Sequence, residues 1–180
     1  MPLQRRLRVP ISLVMTPAPK LPDEEGRLKL LRELLILDTP PEQRFDRIVN
    51  FAAAEFDMPI VLISLIDENR QWFKARVGLD VCETGRDISF CGHAIAEPGL
   101  FIIDDALLDL RFADNPLVTG APFIRFYAGA PLRLNDGAAI GTLCLIDPRP
   151  RSLDETDRAI LASLRDLVCE ELLRRTAEAG

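Results

Sequence analysis

The sequence predicts an α+β fold in which a largely antiparallel sheet of five to six strands carries helices on one face. Three observations predict it. Turn residues at Asp67–Asn69 and Asn135–Gly137 join apolar runs of strand length, which makes the joined strands antiparallel neighbours. Amphipathic helices open and close the chain, so both ends can cover the same sheet face. The long excursion from 79 to 123 is then left to close over the opposite face.

Residues 1–20 read as a flexible tail and 21–180 as one domain. The tail holds Arg5, Arg6 and Arg8 and a short apolar run broken by Pro10, too short for a signal peptide; Met15 offers a second start. From Leu21 to Leu37, leucines at helical spacing predict the first helix, stopped by Asp38, Pro40 and Pro41. Thr39 and Glu42 have the spacing of a capping box, with Pro40 at the first helical position, and Phe45, Ile48, Val49, Ala52 and Phe56 form the stripe of a second helix.

Pro59 to Asp67 is nearly all apolar and branched, as expected of a central strand covered on both faces. A second strand follows in which Phe73, Ala75 and Val77 alternate with Trp72, Lys74 and Arg76 up to Gly78. After a polar link through Glu83, Gly85 and Arg86, Ser89 caps a short helix over Phe90–Ile95 that Pro98 and Gly99 end, and Leu100–Ile103 is a third strand. The stretch 104–122 reads as a long, partly helical connection. From Ile124 the apolar Phe126, Ala128, Ala130, Leu132 and Leu134 take one face of a strand, and Ala138–Asp147 returns beside it. Ser152 and Glu155 suggest a second capping box, opening a last helix with Ile160, Leu161, Leu164, Leu167, Val168 and Leu172 on one side.

Composition excludes several function classes. At 48% apolar and 28% charged the chain is neither disordered nor fibrous, and a net charge of -6 leaves no basic stripe for nucleic acid. A single histidine, His93, cannot build a multi-histidine metal site, so no metal is expected. The three lysines follow Pro19, Leu28 and Phe73, which excludes a Gly-Lys phosphate loop, and no G-x-G-x-x-G run occurs. No run reaches the ~18 apolar residues of a membrane span, so no membrane partner is expected. Four cysteines without a C-x-x-C pair read as free thiols of a cytoplasmic protein.

The runs ILDTPPEQRFDRIV, SLIDENRQWFKARVGL, SFCGHAI, DALLDLRFADNPLVTG, IRFYAGAPL and IGTLCLID, in that order, closely resemble the GAF domain family. The likeness is to bacterial sensory modules that precede diguanylate cyclases and histidine kinases, and it covers roughly residues 21–175. It implies a ligand cavity under the short helix and loops, a non-catalytic sensory role, and signalling through the terminal helices. It also implies a homodimer through those helices, with Leu164, Val168 and Leu172 placed either for that contact or for packing on their own sheet. Because no cyclase or kinase segment follows Gly180, the effector is expected in trans, or the chain is a piece of something longer.

Candidate ligand-binding residues are Trp72, Cys91, His93, Asp104, Arg111, Asn115 and Tyr127; the ligand is unidentified and no cofactor is implied. Cys91 and His93 sit on the expected roof, either as a reactive pair or as core residues. Asp104, Arg111 and Asn115 lie on the long connection, which in the resembled family lines or gates the pocket; Asn115, like Asp109, either orients a ligand or caps and turns the chain, and Arg111 either grips an anion or pairs with a neighbouring aspartate. Tyr127 and Trp72 either line the cavity or pack in the core, and Gly129 and Gly141 suggest room beside the sheet. A thiol enzyme resembling free methionine sulfoxide reductase, using Cys91, is the alternative. It is disfavoured because residues 111–123 lack the second cysteine of that branch. Bilin attachment is disfavoured by Gly92 between Cys91 and His93, and the cyclic-nucleotide signature is absent.

Overall fold

A computed structural model describes residues 15–135 and 137–180; the tail assigned to 1–14 lies outside the described residues. Six strands form one sheet in the order β3-β2-β1-β6-β5-β4, with every neighbouring pair antiparallel. They are β1 (Ile60–Ile66), β2 (Arg70–Val77), β3 (Glu83–Gly85), β4 (Phe101–Ile103), β5 (Phe126–Arg133) and β6 (Ala139–Asp147). The helices are α1 (Glu24–Glu33), α2 (Gln43–Glu55), α3 (Phe90–Ala94), α4 (Pro116–Thr119) and α5 (Glu155–Glu178). No helix among the described residues is long and apolar enough to cross a membrane.

The sheet separates two cores. On one face, Leu31 of α1, Phe45, Ile48 and Ala52 of α2, and Leu161, Val168 and Leu172 of α5 bury against Val61, Ile63, Leu65, Ala128, Ala130 and Leu143. On the other, α3, α4 and the connection cover Ile60, Leu62, Ile66, Phe73, Tyr127 and Cys144. Alternate β1 residues serve opposite cores, which is why that strand reads as continuously apolar.

Helix starts depart from the sequence expectations for identifiable reasons. Asp23 caps α1 through the Gly26 amide, and the helix ends at Glu33, with Leu35 in the left-handed region at φ 49°. Thr39 and Glu42 do not form a capping box. Lys74 draws both away, its Nζ 2.8 Å from Thr39 Oγ1 and 2.6 Å from Glu42 Oε2, so α2 begins at Gln43 without a side-chain cap. The box before α5 is Asp154 with Asp157 rather than Ser152 with Glu155, because Leu153 is buried in the core and the helix opens after it.

Strand β2 is irregular. Ile63 pairs with Ala75 and Ser64 with Phe73, so Lys74 is an extra residue in a bulge. Trp72 and Ala75 therefore share the helix-side core while Phe73 faces the other way, correcting the simple alternation expected for this strand. The link expected after β2 contains a strand, β3, hydrogen-bonded at the sheet edge. Residues 15–20, read as tail, have partners: the Thr16 and Ala18 amides donate to Arg111 O and Asp87 O, and Ala18 is buried.

Candidate functional site

A cavity of about 270 Å³ lies between the sheet and α3, just below the usual range of ligand-pocket sizes. Its floor is Ile60, Leu62, Phe73, Tyr127 and Ile146; Phe90 and Cys91 of α3 form the roof, and Leu79, Val81, Leu117 and Pro122 frame the side. The lining is almost wholly apolar, so the fit of an occupant depends on shape and on the few polar groups present.

Those polar groups are held before any ligand arrives. Ser89 caps α3 by accepting from the Gly92 amide at 2.8 Å, and its hydroxyl donates to Gln71 Oε1 at 3.1 Å. The Ser64 hydroxyl donates to the same oxygen at 3.1 Å, while Gln71 Nε2 donates to Thr84 Oγ1 at 2.5 Å. Gln71 thus ties the roof helix to β1 and β3. Phe90 stacks on Phe112, with centroids 4.2 Å apart, and lies 5.2 Å from Tyr127, which fixes the roof from above and below.

Beneath the roof, the Tyr127 hydroxyl donates to Cys91 Sγ at 3.2 Å, and Cys91 Sγ lies 3.7 Å from Cys144 Sγ on β6. All three side chains are buried. Burial raises a thiol, but the contacts with Cys144, Thr142, Tyr127 and Ser64 outweigh it at Cys91 and bring that group down to about 7. Burial and the neighbouring Cys91 push Cys144 well up; burial and the two thiols do the same to the Tyr127 phenol. The two sulfurs are in contact and titrate as a pair rather than as independent groups.

Of the residues singled out in the sequence, Cys91 and Tyr127 meet at the cavity; the other five do not line it. Trp72 packs in the helix-side core, on the far face of the sheet, because of the bulge at Lys74. His93 is turned outward from the roof, its Nε2 3.1 Å from Thr16 O and its ring edge-on to Phe112, and burial lowers its pKa. Arg111 pairs with Asp109 at 2.6 Å and lies over the Phe101 and Phe112 rings, taking the aspartate-pairing alternative. Asn115 caps α4 through the Leu117 amide and donates to Ile88 O at 3.0 Å. Asp104 lies with Asp105 and Arg111 in an open surface depression.

Neither glycine expected to make room does so directly. A side chain at Gly129 would run into the Tyr127 ring, and one at Gly141 would overlap the Ser64 carbonyl, so both serve close approach within the sheet. Sequence reasoning missed Gln71, Leu79, Val81 and Leu117. The apolar Leu79 and Val81 inside a link otherwise polar were the available signal.

A second polar cluster joins the roof segment to α1. Glu24 of α1 accepts from the buried guanidiniums of Arg27 and Arg86, the first at 2.6 Å, and Arg27 also donates to Ile66 O at 2.5 Å. Burial raises the Glu24 carboxyl, but Arg86 and Arg27 together hold it well below the usual carboxylate range. The Arg86 carbonyl in turn accepts from the Ser89 amide at 3.0 Å, at the start of α3.

The family model of the GAF domain matches residues 40–172. A cyclic di-GMP phosphodiesterase of Pseudomonas aeruginosa is 46% identical over 147 residues, which are 81% of this chain and 25% of that protein. The chain thus spans about a quarter of the length of this relative. Among solved structures, the GAF domain of a Coxiella burnetii phosphoenolpyruvate-protein phosphotransferase has a TM-score of 0.64 at 16% identity, over 86% of this chain and 97% of that one. The corresponding Acinetobacter domain has 0.63 at 19%, over 86% and 95%. A free methionine-R-sulfoxide reductase from Neisseria meningitidis has 0.59 at 20%, over 85% and 90%. These structures share the six-stranded fold's architecture at identities that speak to fold alone. With its sheet order, its roofed cavity and a family match over most of its length, the chain belongs to the GAF domain family.

Proposed function

We propose that this GAF domain is a non-catalytic sensory module that binds a small, largely apolar molecule beneath α3 and signals through its terminal helices. The observation that carries the reading is the cavity, whose walls are apolar and whose few polar groups, Gln71, Thr84 and Tyr127, are already fixed. The cluster from Ser89 through Arg86 to Glu24 supports the route out, since a shift of the roof would pull on α1. The resemblance to a segment of a cyclic di-GMP phosphodiesterase supports an effector within cyclic di-GMP signalling; a cyclase or histidine kinase acting in trans, and a cytoplasmic setting, belong to the same proposal.

A homodimer through the terminal helices belongs to the same reading, with revised contacts. Val168 and Leu172 are buried against the protomer's own sheet and Leu164 is half-buried, while Leu167 and Leu173 of α5 and Phe51 of α2 are 40%, 40% and 55% exposed and offer apolar groups to a partner copy. The test of the binding role is thermal unfolding in fractions of the low-mass material from a cell extract. A ligand that binds only the folded state raises the midpoint, by about 2.7 kcal/mol of stability at 100 times its Kd. The rise is expected in the native chain and lost in Leu117→Trp, whose larger ring fills the cavity side. Equal shifts in both proteins would overturn the reading.

A further inference from the structure

We infer that Cys91 and Cys144 form a reversible dithiol–disulfide pair, oxidised by a small apolar hydroperoxide that enters the cavity. The inference uses the same cavity as the ligand-binding reading but requires no resident ligand.

Three observations carry it. The two sulfurs are 3.7 Å apart although their residues are far apart in sequence, on α3 and on β6. A disulfide needs about 2.05 Å between sulfurs, so closing the pair asks for a side-chain rotation and a small shift of a five-residue helix rather than refolding. Cys91 also lines the cavity, so a molecule seated there reaches its sulfur, while Cys144 lies directly behind it. Finally, the environment is that of a working thiol. The Tyr127 hydroxyl donates to Cys91 Sγ at 3.2 Å, so the sulfur already faces a hydrogen-bond donor.

The chemistry closes without a further reactant. The Cys91 thiolate attacks the terminal oxygen of the hydroperoxide; the O–O bond breaks, the alkoxide takes up the proton released from Cys91 and leaves as an alcohol. Cys91 is then a sulfenic acid. The Cys144 sulfur attacks Cys91 Sγ, the S–O bond breaks, and hydroxide leaves with the Cys144 proton as water. Two thiols lose two electrons and the hydroperoxide gains them. The new bond ties the roof helix α3 to β6, and a thiol reductant reverses it.

The experiment uses the native chain, with Cys82, exposed, and Cys169, partly buried, as internal references. The reduced protein is exposed to cumene hydroperoxide without oxygen, free thiols are alkylated, and the digested protein is mapped by mass spectrometry. The expected product is a peptide linking Cys91 to Cys144, in a protein lighter by about 2 Da, restored by dithiothreitol. Cys144→Ala, checked for folding by circular dichroism, should instead stop at an oxidised Cys91. Recovery of both Cys91 and Cys144 as alkylated thiols while Cys82 is oxidised would overturn the inference, as would a bridge from either one to Cys82 or Cys169. The map is read on the native chain, so a failure of the variant to fold does not affect it. A positive map with no ligand found would leave the pair standing and the sensory reading refuted.

Discussion

Replacing Glu24 by Gln tests whether α1 is electrostatically pinned to the segment leading into the cavity roof. The carboxylate is the shared acceptor of two guanidiniums, Arg27 with a side chain 0% exposed and Arg86 2% exposed, and is itself 17% exposed. A glutamine keeps the shape but turns one acceptor into a donor facing donors. Breaking a fully buried pair destabilises by about 3–5 kcal/mol; partial exposure of Glu24 lets water substitute, so about 2–4 kcal/mol is expected here. The folded carboxyl titrates well below its ordinary 4.5, so its contribution is complete above the unfolded value and is lost as pH falls. At pH 3 the unfolded group is protonated over about 1.5 pH units, which removes about 2 kcal/mol of the difference between native chain and variant. Urea unfolding at pH 7 and pH 3 measures both quantities, and the other carboxylates cancel between the two proteins. A loss under about 0.5 kcal/mol at pH 7, the range of an ordinary surface change, would refute the pinning. So would a difference that does not shrink with acid.

Gly141→Ala should destabilise by about 1–3 kcal/mol, because the added carbon overlaps the Ser64 carbonyl between β6 and β1; urea unfolding with an unchanged midpoint would refute the close approach. Arg111→Ala should leave ligand-induced thermal shifts intact, since its guanidinium is engaged by Asp109 and the Phe101 and Phe112 rings outside the cavity; loss of the shift would place it in the site after all. Tyr127→Phe removes a hydroxyl that donates to Cys91, so the thiol should rise above about 7; ultraviolet titration of thiolate absorbance reads the direction, and an unchanged midpoint would refute the contact.

The sheet was legible because its signals are local. Ile60–Ile66 is apolar at every position but one, and β5 alternates cleanly between Phe126 and Leu132. The same is true of the Ser89 cap on α3 and the Asn115 cap on α4. What escaped depends on distant partners. Lys74 sits at an alternating position and nothing beside it announces a bulge; its reason is Thr39 and Glu42, more than thirty residues upstream, which it also removes from the helix cap. That one residue reverses the face of Trp72 relative to Ala75, and with it the place of Trp72 in the site. Cys144 reads as core from its own strand and becomes chemically distinct only when α3 folds over it. The resemblance to free methionine sulfoxide reductase implies a second cysteine in 111–123, which holds none; the sheet sets Cys144 of β6 beside Cys91 instead.

Native mass spectrometry of the freshly purified chain, beside its denatured mass and beside Leu117→Trp, reads occupancy of the cavity itself. A domain that senses through this cavity should carry an added noncovalent mass on the native chain after equilibration with the low-mass fraction of a cell extract, lost on denaturation and absent from the variant. A bare chain under those conditions, or the same added mass on both proteins, would contradict it.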